Sequence, residues 1–174
     1  MWPGDHPWPI CWREHERGRA GRIARQSWLR SGPAATATER VLVVDTSAIL
    51  EVLAARNPAP GLAKRLADDG DLHAPHLIDV EILHALRRMA MREEIGEDRA
   101  ADVRSDFADT AIVRYGHLPL SDRMWELRHN LSAYDAAFVA LAELLGVPLV
   151  TCDGRVASAS GHDAHVELFG VEVG

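Results

Sequence analysis

Only two cysteines, Cys11 and Cys152, occur in the 174 residues, too few for a disulfide framework. Long hydrophobic runs are also missing. The longest, such as residues 136–142, fall far short of the ~20 apolar residues that cross a bilayer. The N-terminus has no apolar segment of the secretory kind, because Asp5, Arg13, Glu14, Glu16 and Arg17 interrupt it. These absences lead to the expectation of a cytoplasmic protein with reduced thiols and no membrane association. No segment repeats at a fixed period, which excludes a solenoid or array.

Apolar residues make up 47% of the chain, enough for one ordinary domain core. The net charge of −7 is unevenly spread. Residues 1–40 hold seven arginines against four acids, whereas residues 41–174 hold twelve basic residues against twenty-two acids. The split reads as a basic N-terminal extension, 1–40, on an acidic domain, 41–174. The extension begins with a Pro- and Trp-rich stretch and ends in a small polar linker, so little fixed structure is expected before Arg40. Two accounts of it stay open: a start codon upstream of the native one, or a basic arm that attracts nucleic acid.

From Val41 the pattern sharpens. Val41–Val44 is short, wholly apolar and mostly β-branched, the mark of a strand buried on both faces. Helices are expected over 46–55, 60–69 (stopped by Gly70), 79–92, 97–108, 121–129 (capped by Ser121) and 134–145 (stopped by Gly146). On the 79–92 helix, Val80, Ile82, Leu83, Leu86, Met89 and Ala90 are taken as the apolar side. Strands are expected over 72–74, 111–115, 147–150 and 165–168. Alternating strands and helices give an α/β domain with a mostly parallel central sheet covered on both faces.

Open parallel sheets place their sites beyond the carboxyl ends of the strands. Asp45 directly follows the first strand and Asp153 follows the strand over 147–150. Asp135 falls in the first turn of the 134–145 helix, and Glu81 in the first turn of the 79–92 helix. Each acid has a plain structural reading as an N-cap or as a complement to a helix dipole. Gathered at one sheet edge, however, they repel unless a cation joins them. Hard oxygen ligands without a His or Cys set suit Mg²⁺, with Mn²⁺ as a substitute, rather than Zn²⁺.

The segment from Val43 to Leu50, VVDTSAIL, resembles the opening of PIN-domain proteins, the nuclease toxins of VapBC toxin–antitoxin pairs. Glu81, soon after Ala74-Pro75, resembles their second acidic position. The stretch from Leu131 to Ala142, LSAYDAAFVALA, resembles the third, and that from Val147 to Asp153, VPLVTCD, the fourth. The four occur in order and cover the chain from Val41 to about Phe169.

The resemblance implies a three-layer α/β/α PIN-like fold and a Mg²⁺-dependent endoribonuclease toxin. Its substrate would be a structured RNA such as a tRNA or rRNA loop. It also implies a VapB-like antitoxin partner and a homodimer. Asp45, Glu81, Asp135 and Asp153 are then the catalytic and metal-binding set, with Asp45 and Asp135 as the firmest ligands. Glu81 would act through water or as a proton acceptor. Thr46, Ser47 and Arg155 are candidates for contact with the substrate, and Thr46 and Ser47 also for bonding a carboxylate or capping their helix. Arg87, Arg88, Arg92, Lys64 and Arg65 are further candidates for the RNA backbone. Cys152 is read as a small apolar filler.

Overall fold

Val41–Val44 forms strand β1, and its residues Leu42, Val43 and Val44 are fully buried. An apolar run with no polar alternation needs cover on both faces, which only a central strand receives. In the computed structural model, which describes residues 41–68 and 71–170, β1 lies in the middle of the sheet. The expectations for residues 1–40 and for Gly70 lie outside the described residues.

The remaining strands are β2 (Asp71–Pro75), β3 (Ile112–Tyr115), β4 (Leu149–Thr151) and β5 (Val166–Leu168). Their order is β3-β2-β1-β4-β5 and every pairing is parallel. The helices are α1 (Thr46–Ala54), α2 (Leu62–Asp68), α3 (Leu77–Met91), α4 (Glu97–Asp109), α5 (Ser121–Glu126), α6 (Ala133–Leu145) and α7 (Gly154–Ser158).

The connections first step outward from β1 to β2 to β3, then return across the sheet to β4. Right-handed crossovers therefore place α1 to α4 on one face and α5 and α6 on the other. The packing agrees: α1, α3 and α4 touch one another, while α6 lies against β1, β2 and β4 with α5 beside it. This is the expected three-layer α/β/α arrangement. Because the direction of winding reverses at β1, a crevice opens between the carboxyl ends of β1 and β4.

Helix α6 is buried continuously from Ala136 to Ala142. Its small alanines let the helix sit close to the sheet. Ser132 caps its start, accepting from the Asp135 amide, and Gly146 closes it in the left-handed region at φ 65°. On the outer side, Arg123 binds both oxygens of Glu143 at 2.7 and 2.9 Å. The same guanidinium reaches Glu126 at 2.8 Å and the Gly161 carbonyl at 3.0 Å, and Glu143 also accepts the Asp163 amide at 2.8 Å. One arginine thus ties α5, α6 and the loop before β5 together.

Several boundaries and faces differ from expectation. Helix α3 begins at Leu77 rather than at Asp79, and its core residues are Ile78, Ile82 and Leu86. Val80 and Leu83, expected on the apolar side, are 65% and 53% exposed. Packing against the rest of the fold selects the stripe spaced by four, Ile78, Ile82 and Leu86, and leaves those two outward. Ser121 does not cap α5. A single 3-10 turn, Leu118–Leu120, leads into that helix, and the Ser121 hydroxyl donates to the Leu118 carbonyl instead. The expected 121–129 helix ends at Glu126 and continues as a second 3-10 turn, Leu127–His129. Strand β4 begins at Leu149, because Pro148 has no amide for the ladder.

Arg123 holds the Glu143 carboxyl below its ordinary value of 4.5. That contribution is present above 4.5 and is lost as the pH falls through the lowered value. Arg123→Ala is expected to lower unfolding free energy at pH 7 by about 1 kcal/mol, because solvent screens this partly exposed pair, with a smaller loss on acidification than in the parent. Urea titrations at pH 7 and pH 3 check this; an unchanged midpoint at pH 7 would refute it.

Candidate active site

The register of β1 on β4, Val43 opposite Leu149 and Val44 opposite Val150, brings the next residues of both strands together. The Asp45 amide continues the ladder, donating to the Val150 carbonyl at 3.0 Å. Asp45 then leaves the sheet as the residue before α1. It makes no side-chain cap to that helix, so the plain N-cap reading does not hold for it. Its carboxylate instead accepts two hydroxyls on Oδ2, from Ser47 at 2.6 Å and Thr151 at 2.6 Å.

Each of these hydroxyls also accepts a backbone amide. Cys152 N–H donates to Ser47 Oγ at 2.9 Å, and Asp153 N–H to Thr151 Oγ1 at 2.9 Å. Their single protons are directed at Asp45, so the 3.2 Å approach between Ser47 Oγ and Thr151 Oγ1 is a contact without a proton of its own. Burial pushes the Asp45 carboxyl above its ordinary value of 3.8, against the pull of the Ser47 and Thr151 bonds.

Glu81 sits on the second turn of α3 and accepts the Thr46 hydroxyl at 2.5 Å. Its carboxyl is also raised, first by burial and further by the charges of Asp45 and Asp135. Asp135, in the first turn of α6, accepts the Ser132 hydroxyl at 2.8 Å, the other half of its exchange with that cap. Asp153 caps α7 through the Arg155 amide at 2.8 Å and is gripped by the Arg155 guanidinium at 2.6–3.2 Å. Arg155 holds the Asp153 carboxyl below the usual range.

All four acids line one cleft of about 590 Å³, together with Thr46, Ser47 and Arg155. The structure therefore brings the four acids, Thr46, Ser47 and Arg155 to one place. It adds Tyr134 and His84; of the basic residues considered for the RNA backbone, Arg88 lines the cleft, while Arg87, Arg92, Lys64 and Arg65 are not among the lining residues. A second cavity of about 620 Å³ lies beside Pro148 and His165, at the amino ends of β4 and β5, away from these acids.

The carboxylates are not drawn into one tight cluster. Among the described residues no three Asp, Glu, His or Cys side chains stand close enough to form a ready-made metal cluster. The physical reason is that each acid has turned to its own donor, which relieves their mutual repulsion. The donor set still fits a hard divalent cation. It is all oxygen, and in Asp45, Glu81 and Asp135 the side-chain hydroxyls fall on one carboxylate oxygen and not on the other.

Of the roles expected for Thr46 and Ser47, at the substrate, at a carboxylate or at a helix cap, the structure shows the second: they direct their protons at Glu81 and Asp45 and position those carboxylates. Thr151, buried completely, was not singled out from the sequence. A polar residue closing an apolar strand, two places before Asp153, was the available signal. Ser132 was legible through its spacing of three from Asp135. Cys152 packs against the core, and burial pushes its thiol up to about 11, which fits a filler rather than a nucleophile.

The family model described as PIN domain matches residues 42–161, the span that carries all four acids. The chain belongs to the PIN-domain family. Within it, Ribonuclease VapC9 of Mycobacterium tuberculosis is 43% identical over 116 residues, 67% of this chain and 88% of the relative. Ribonuclease VapC1 of the same organism is 39% identical over 127 residues, covering 72% and 96%. These relatives place this PIN domain among the VapC ribonucleases, as the sequence motifs implied. The crystal structure of VapBC2 from Rickettsia felis, bound to a DNA fragment from their promoter, aligns with a TM-score of 0.56 at 9% identity. It covers 74% of this chain and 98% of the other, a likeness of fold.

The folded chain keeps a proton on Asp45 over the interval from 3.8 to its raised value, where the unfolded chain has released it. Stability falls as pH rises through that interval, and the cost persists above it. Asp45→Asn removes the buried charge and keeps an oxygen for both hydroxyls. In EDTA at pH 7 it is expected to melt at the parent's temperature or higher, and a lower Tm would contradict this. Thr151→Val strips a donor from Asp45 and an acceptor from the Asp153 amide, and is expected to cost about 1–3 kcal/mol in urea unfolding.

Proposed function

We propose that this PIN domain is a Mg²⁺- or Mn²⁺-dependent endoribonuclease, the toxin of a VapBC-type pair, cutting within a structured RNA such as a tRNA or rRNA loop. The observation that carries the reading is the convergence of Asp45, Glu81, Asp135 and Asp153 on one cleft at the carboxyl edge of the sheet, inside the span matched by the family. Residues 41–174 form the nuclease domain in this reading, and residues 1–40 an extension to it.

A divalent cation held by these acids supplies positive charge against the charge that develops at phosphorus, and makes water more acidic. The chain's own residues prepare the rest. Ser47 and Thr151 fix the Asp45 carboxylate in one orientation, so no reorganisation of that group accompanies the reaction. Ser132 does the same for Asp135. Asp45 and Asp135 would be the principal ligands of that cation, with Asp153, here paired with Arg155, as a further one. Glu81, whose raised pKa makes it a better base than an ordinary carboxylate, takes the proton of the attacking water. Arg155, 85% exposed, can follow an incoming phosphate without breaking the fold.

The relatives' name, ribonuclease, supports RNA as the substrate. The Rickettsia felis structure pairs the toxin fold with VapB and promoter DNA, which supports a VapB-like antitoxin as partner. No helix among the described residues is long and apolar enough to cross a membrane. A cytoplasmic homodimer is the assembly this reading assigns.

Purified full-length protein is expected to cut RNA with Mg²⁺ or Mn²⁺ and to stop in EDTA. Asp45→Asn and Asp135→Asn are each expected to lose at least about 100-fold in rate, as loss of a preorganised charged group does. Cleavage that persists in EDTA and in both variants would overturn the metal–carboxylate mechanism.

A further inference from the structure

We propose that Tyr134 and Arg88 form the subsite for the nucleotide next to the scissile phosphate, with the Tyr134 ring stacked on its base and Arg88 on its outer phosphate. The inference rests on the ribonuclease reading above. Tyr134 is 61% exposed and lines the cleft beside Asp135. Its ring meets no other ring and its hydroxyl has no partner among the described residues. Nothing in packing accounts for it: the buried face of α6 runs from Ala136 onward, and tyrosine is a middling helix former at an exposed position.

The chemistry of the cleft leaves a place for a flat apolar group. The acids can deal only with the phosphate, through a cation. Helix α3, which carries Glu81, also contributes Leu77, Val80 and Ala85 to the lining, an aliphatic wall of which Val80 is 65% exposed. A base between that wall and the Tyr134 ring would be held by its π-face, without a hydrogen-bond reader and with tolerance for its identity. Tyr134 and Asp135 line the same cleft from the first turn of α6, which is why the stacked base is assigned to the nucleotide beside the phosphate that Asp135 helps to hold.

The cations of the cleft divide the work. Arg155 is engaged by Asp153. The Arg88 side chain, two turns along α3 from Glu81, has no hydrogen bond or ion pair among the described residues. A flanking phosphate entering an acidic cleft needs such an uncommitted cation.

The test uses full-length protein carrying Asp45→Asn, which prevents cutting, and single-stranded RNA probes about eight nucleotides long, each with one abasic position moved along the strand. Adding Tyr134→Ala should weaken binding about 5- to 150-fold. One abasic position should weaken the parent similarly and add nothing in the Tyr134→Ala protein. Tyr134→Phe should recover most of the affinity lost on going to alanine. Arg88→Ala should reduce the slope of log K against log salt by about 0.7.

In the cleaving protein, Tyr134→Ala should raise KM more than it lowers kcat, with Tm unchanged. Undiminished RNA affinity in Tyr134→Ala, or abasic losses that add to it at every position, would overturn the proposal while leaving the nuclease reading intact. Such a result would leave the exposed ring to a protein partner. A parent that binds neither these probes nor structured RNA, and a protein with Asp45 intact that cuts neither, would overturn both.

Discussion

A carboxylate buried at the end of a central strand has to find donors, and for Asp45 the supply comes from both sides of the crevice. Ser47 belongs to the helix that follows β1, and Thr151 is the last residue of β4. Their two hydroxyls meet on one oxygen of Asp45 and at the same time receive the amides of Cys152 and Asp153. The buried charge therefore sets more than its own position. It fixes the path of the chain as it leaves β4 and, through that path, the placement of Asp153 and Arg155. The rest of the site is built outward from this knot.

Around it the acids are kept apart by separate alliances: Glu81 with Thr46, Asp135 with Ser132, Asp153 with Arg155. These bonds lower the repulsion of four like charges facing one cleft. They are also of different kinds. The bonds to Asp45 and Glu81 lie in half-buried surroundings, where burial raises both carboxyls. Arg155 is open to water, where solvent screening leaves an exposed ion pair of this sort little net strength. The Asp153–Arg155 pair is thus the one most readily exchanged for another partner.

How far this was legible depends on the range of the interactions involved. The strand–helix alternation, the four acids and the Gly146 stop could be read because each is a local pattern of period, cap or turn. The capping pair Ser132 and Asp135 was equally local, though it was seen only as an acid in a first turn. Errors arose where local signals competed. Val80 and Leu83 fit an apolar stripe as well as Ile78 and Ile82 do, and only contact with the rest of the fold selects between them. Ser121 looked like a cap, but the preceding turn had already satisfied that end of the helix. Thr151 was passed over because its importance lies in a partner 106 positions away.

By itself the sequence determined the order of strands and helices, a parallel sheet, and the delivery of Asp45 and Asp153 to its carboxyl edge, since these follow from hydrophobic period and chain continuity. It also carried the motifs that belong to the PIN-domain family. Only the tertiary structure decided which hydroxyl serves which carboxylate, that Arg155 turns to Asp153, and that Tyr134 and Arg88 face the cleft. Those outcomes depend on side chains meeting across the β1–β4 crevice and from α3 and α6, at angles that no local period encodes.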